Sequence, residues 1–132
     1  NFADFRQRWN TAIAAWEERA TVLRGKRVIT HHKSWVYLET WLGLVEVATL
    51  EPVSGIPPTA SHLGSLLDRF GDKGADFIIR APFQSDKPSK WLSERTGIPV
   101  LLLPHTVGST PQVTDLFSMF EVLVSTLEGA AK

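Results

Sequence analysis

The sequence predicts an α/β fold of three layers, a four-stranded parallel sheet flanked by helices and preceded by an N-terminal helix. Three observations point there. Short apolar segments at 27–30, 45–50, 76–79 and 99–103 read as strands. Stretches with apolar residues three and four apart separate them, and parallel neighbours need such crossovers, which a helix fills. A chain of 132 residues, 43% hydrophobic, is long enough for one core and too short for two.

The first helix is read from about Asp4 to Leu23, because Phe5, Trp9, Ile13 and Trp16 recur on one face while Gln7, Arg8, Glu17 and Glu18 fill the others. Gly25 is expected to close it in the left-handed conformation. Arg27 to Thr30 is the first strand. Ser34 to Trp41 carries Trp35, Leu38 and Leu42 at helical spacing before Gly43. Val45 to Leu50 is the second strand. It is followed by Glu51-Pro52-Val53-Ser54-Gly55-Ile56-Pro57-Pro58, whose prolines fix φ and remove backbone donors. Thr59 or Ser61 is placed to cap a third helix bearing Leu63, Leu66, Leu67 and Phe70. Asp76 to Ile79 is the third strand, and Pro88 suits the start of a helix that Gly97 ends. Pro99 to Leu103, nearly all apolar, is expected to be buried on both faces. The last helix is read from about Gln112 to Leu127. No repeat or low-complexity tract interrupts the series, and the whole reads as a Rossmann-like lobe.

Composition excludes several function classes. Fourteen Lys and Arg balance fourteen Asp and Glu, so the overall charge does not support a nucleic-acid surface. With no Cys, thiolate zinc sites, iron–sulfur clusters and cysteine nucleophiles are out. No apolar run approaches the ~20 residues that span a bilayer, so no membrane insertion is expected. Asn1-Phe2-Ala3-Asp4 lacks the basic start of a signal peptide and reads as the interior of a longer chain. Neither a Walker loop nor a Gly-x-Gly-x-x-Gly turn is present, and the Gly-x-Ser-x-Gly elbow is also missing.

In an open parallel sheet, binding groups gather beyond the carboxyl ends of the strands, where strand order reverses. His31 and His32 follow the first strand, Arg80 ends the third and His105 follows the fourth, so one rim collects them. Successive side chains on a strand alternate faces, which gives His31 a structural reading and leaves His32 free to face a cleft. His62, at a helix start, reads as solvated. Arg80 would be costly to bury alone and is expected either to meet a carboxylate such as Glu51 or to face the cleft. Trp9, Trp16, Trp41 and Trp91 read as packing; Trp35, close to His32, is left open, and Tyr37 either orients a rim group or packs. Should two imidazoles converge, zinc is the natural candidate, because it accepts neutral nitrogen donors and usually takes four ligands.

The run Val28-Ile29-Thr30-His31-His32-Lys33-Ser34-Trp35-Val36-Tyr37-Leu38, followed by Trp41-Leu42-Gly43-Leu44, resembles the C-terminal lobe of the zinc and manganese substrate-binding proteins of bacterial ABC importers. Leu50-Glu51-Pro52, Gly55-Ile56-Pro57-Pro58, His62-Leu63, Thr96-Gly97-Ile98-Pro99-Val100 and Leu103-Pro104-His105-Thr106-Val107-Gly108 continue the likeness in order. The resemblance implies that 1–24 is the end of the helix joining two lobes and 25–132 the C-terminal metal-binding lobe. It makes His32 a metal ligand and sets His105 where many members carry a ligating Asp. Arg80, in Arg80-Ala81-Pro82-Phe83, stands in the segment where many relatives have Glu, inverting the local charge.

The implied function is that of an extracytoplasmic or periplasmic zinc carrier, with manganese the lesser candidate, which delivers its ion to an ABC permease and performs no catalysis. The remaining ligands would come from an N-terminal lobe with no counterpart here. Metal uptake should then weaken as pH falls through roughly 6.5, since imidazole must be deprotonated to ligate. Two alternatives stand beside it: a small Rossmann-like hydrolase using His32 with Ser34 or Tyr37, and an interaction module that has lost metal binding.

Overall fold

A computed structural model describes residues 1–131. The elements, in chain order, are α1 (Phe2–Arg19), a 3₁₀ turn (Ala20–Leu23), β1 (Arg27–Thr30), α2 (Val36–Leu42), β2 (Val45–Thr49) and α3 (Ala60–Phe70). β3 (Phe77–Arg80), α4 (Lys87–Thr96), β4 (Val100–Leu102) and α5 (Leu116–Ala131) complete them. The sheet has the order β2-β1-β3-β4 and is parallel throughout. The predicted three-layer α/β architecture is therefore the one observed.

Alternation along the central strands builds the layers. Val28, Phe77 and Ile79 point to one face, where they pack with Leu23, Leu38 and Leu127. Ile29 and Ile78 point to the other, against Leu66, Phe70 and Leu92. Residues such as Ile78 and Leu127 are fully buried, and each contributes about 2 kcal/mol of transfer free energy. The 3₁₀ turn, α2 and α5 thus cover one face, with α1 packed outside on α5, and α3 and α4 cover the other.

The turns follow local chemistry. Asn1 accepts from the Asp4 amide at 2.9 Å, so α1 begins two residues earlier than its apolar stripe suggests. Gly43 ends α2 at φ 74°, and its carbonyl accepts from Gly25 N at 2.8 Å, fastening the turn before β1 to the turn before β2. Thr59, not Ser61, caps α3, accepting from the His62 amide.

Two expectations are corrected. The last helix starts at Leu116 rather than Gln112, because Val113 is buried and its carbonyl accepts from Gly108 N at 2.7 Å, which closes 108–113 as a turn. Asp115 then takes the cap, accepting from Ser118 N at 2.7 Å. β4 lies at the edge of the sheet, so it is not buried throughout: Leu101 and Leu103 are buried while Leu102 remains 42% exposed.

Strand order reverses between β1 and β3: the chain leaves β1 for β2 on one side and returns to set β3 on the other. The loops leaving the carboxyl ends of β1, β2, β3 and β4 carry His31–Ser34, Glu51–Pro58, Ala81–Asp86 and Leu103–Asp115.

Candidate metal centre

His32 follows β1 at the reversal point. Its Nδ1 lies 2.5 Å from Glu51 Oε1, which is brought there because β2 pairs with β1. The imidazole is 37% exposed and the carboxylate 15%, so the pair has one open side. Together with His31, Ser34, Gly55, Phe83 and Gln84 they line a cavity of about 320 Å³.

Glu51 is held from several directions. Its amide donates to the His31 carbonyl at 3.2 Å, and its own carbonyl accepts from Thr49 Oγ1 at 2.6 Å. Gly55 N, in the stiff proline loop, donates to Oε1 at 3.1 Å. Burial opposes ionisation of Glu51, but the hydrogen bonds from His32 and Gly55 outweigh it and hold its carboxyl below the ordinary value.

The other predicted residues separate. His105 is exposed on the loop after β4 and lines a second cavity, about 370 Å³, between α2 and α5. Ser34 lines both cavities, and the Phe83 ring, which lines the first, meets the His105 ring edge to face at 4.7 Å. His31 is buried, as its structural reading requires, and burial pushes its pKa down. His62 is half-buried rather than solvated: its Nε2 lies 2.8 Å from the Thr49 carbonyl, tying α3 to the end of β2.

Arg80 does not meet Glu51, whose carboxylate is engaged by His32. Its Nη1 donates instead to the carbonyls of Ala81 and Gln84, at 3.2 and 3.0 Å. Trp35 is buried beside the second cavity, and its Nε1 has no hydrogen-bond partner among the described residues. Tyr37 neither packs nor orients a rim group; it is 92% exposed. Among the described residues, no group of three or more His, Asp or Glu side chains is close enough to hold a metal ion.

A pair of carboxylates meets between α2 and β2. Glu39 of α2 is buried, and Glu46 of β2 accepts from Thr30 Oγ1 at 2.6 Å. Burial first, and then the neighbouring Glu46, pushes the Glu39 carboxyl up to about 7, against the opposing pull of Lys33.

The arrangement turns one imidazole, backed by a carboxylate, toward a cavity on one side only. It does not form a hydrolytic triad, because Ser34 Oγ donates to the His32 backbone carbonyl at 3.2 Å.

A family model described as zinc-uptake complex component A, periplasmic, matches residues 1–130. Among solved structures, the crystal structure of ZnuA superposes with a TM-score of 0.77 at 22% identity, covering 98% of this chain and 46% of that one. FpvC from Pseudomonas aeruginosa, in complex with Mn²⁺, gives 0.77 at 20%, covering 97% of this chain and 47% of that one. The laminin-binding adhesin Lmb from Streptococcus agalactiae gives 0.65 at 19%, covering 94% and 48%. The chain thus spans about half the length of these structures, and at such identity their likeness establishes the fold. Among curated proteins none matches significantly.

Proposed function

Because the chain belongs to the periplasmic zinc-uptake component A family, we propose that it is the C-terminal lobe of an extracytoplasmic metal carrier that captures zinc and hands it to an ABC permease. Metal exchange, not bond chemistry, is its activity. Residues 1–24 form the end of the helix joining two lobes, and 25–132 present the donors.

The observation that carries this reading is the placement of His32. A partly exposed imidazole stands at the reversal point of the sheet, beside a cavity and backed by a carboxylate. His105, on the neighbouring loop, is the second donor, with no hydrogen-bonded partner among the described residues to occupy it and with Phe83 covering one side. The shortfall to four ligands fits a cage completed by a second lobe, as does the span of the chain relative to its structural neighbours. Apolar side chains on the same rim, Tyr37 and the 71%-exposed Phe83 among them, suit a surface that meets another body of protein. The preference for zinc over manganese rests on imidazole donors, which zinc accepts more readily than hard, oxygen-seeking ions do.

Calorimetric titration with zinc tests the assignment. Micromolar or weaker binding at one ion per chain is expected, much weaker than for a two-lobe carrier. His32→Ala should abolish it and His105→Ala should weaken it; an unchanged isotherm for His32→Ala would overturn the reading. A second reading, an interaction module that has lost its metal, is favoured by Arg80 on the rim, and metal-free isotherms throughout would support it.

A further inference from the structure

We infer that Glu51 is the positioning residue of this centre, fixing the proton of His32 on Nδ1 so that Nε2 is the nitrogen presented to the metal. The inference rests on His32 being the ligand, and it adds which atom binds and what aims it.

The argument begins with what each group can donate. An ionised carboxylate has only acceptor oxygens. Glu51 Oε1 already accepts from Gly55 N and lies 2.5 Å from His32 Nδ1, so beside an ionised carboxylate the ring is the partner that donates. In a neutral imidazole one nitrogen carries the proton and the other a lone pair, so pinning the proton on Nδ1 leaves Nε2 bare. Ligating histidines characteristically donate their second nitrogen in this way, which orients the ring and raises its basicity.

Glu51 is itself immobilised. Gly55 N donates to the same oxygen that faces His32, and Thr49 Oγ1 and the His31 carbonyl fix its backbone. His62 holds the Thr49 carbonyl in turn. The ends of β1 and β2, the proline loop and the start of α3 thus converge on one carboxylate. Gly55 adopts φ 86°, the left-handed conformation that turns its amide back toward Glu51 and that residues with a Cβ rarely take.

Long-range ¹H–¹⁵N correlation of the ¹⁵N-labelled 132-residue chain, without metal and above the ordinary imidazole pKa, reads the tautomer of each histidine. His32 should carry its proton on Nδ1. Glu51→Ala should move that proton to Nε2 and lower zinc affinity about 10–100-fold. Glu51→Gln, whose amide oxygen still accepts from Nδ1, should retain the tautomer and recover part of the affinity. It also serves as the foldable control should Glu51→Ala not fold. A wild-type proton on Nε2 overturns the inference, and so does a tautomer indifferent to residue 51. If the tautomer responds as stated but no variant binds zinc, the carrier reading fails while the positioning role stands.

Discussion

Arg19 on α1 grips Glu121 on α5 through two parallel contacts, Nη1 to Oε1 at 2.8 Å and Nη2 to Oε2 at 3.0 Å. Glu128 and the Trp16 indole add to the clasp, and the same helices meet through edge-to-face rings at Trp9, Phe117 and Phe120. The first helix is thereby fastened to the lobe by ionic and aromatic contacts together.

Arg19→Met should keep the packing of the stem and lose the fork. The expected cost is about 1 kcal/mol, because both partners are partly exposed and solvent screens the charge. The Arg19 hydrogen bonds hold Glu121 down to about 2, against the opposing effect of burial. A depressed carboxyl stabilises the fold above its ordinary value of 4.5, and that stabilisation is lost as pH falls toward 2. Urea melts from neutral to strongly acidic pH should show a steeper acid loss in the wild type than in Arg19→Met.

Glu39 gives the opposite pH response. Its folded-state pKa is raised, so its protonated form is the one the fold favours. That stability is fully present below the unfolded value of 4.5 and declines as pH rises through about 7. Glu39→Gln should flatten this decline and make the variant more stable than the wild type in mild alkali. Chemical denaturation on either side of neutrality measures it, and a parallel decline in both proteins would contradict the role given to the buried Glu39 beside Glu46.

Gly43→Ala should destabilise the chain by about 1–2 kcal/mol. The residue sits at φ 74°, and an added Cβ would meet Arg24 Cγ at 3.1 Å. Because the Gly43 carbonyl also accepts from Gly25 N, the loss should appear as a global drop in melting temperature rather than as fraying of α2 alone.

The rim makes a separate prediction. Tyr37 and Phe83 expose large apolar surface, so the isolated chain should bind an apolar dye and self-associate with rising concentration. Tyr37→Glu with Phe83→Ser should reduce both effects without lowering the unfolding midpoint. Sedimentation velocity and dye fluorescence report the two outcomes.

Much of the fold was readable because local and tertiary preferences agree. The Arg27–Thr30 strand matches in full, and Gly43 and Gly97 both close helices in the left-handed conformation. The start of α5 was misread because Val113 continues its apolar spacing, whereas a hydrogen bond to Gly108 closes that segment as a turn. Leu102 was expected to be buried because composition does not reveal which strand lies at an edge. The partner of His32 was hidden for a related reason: Glu51 is 19 residues away, and only the pairing of β2 with β1 makes them neighbours. Charge matching suggested Arg80 for Glu51, but backbone carbonyls at the end of β3 take up that guanidinium instead.

β4 has only three residues, and its Leu102 side chain is partly open to water. A border so short provides few free backbone groups for a foreign strand to template on. Extending it by substitutions that favour extended backbone beyond Leu103 would lengthen that border and invite sheet-to-sheet polymerisation, so brevity there protects a sheet whose centre is strongly apolar.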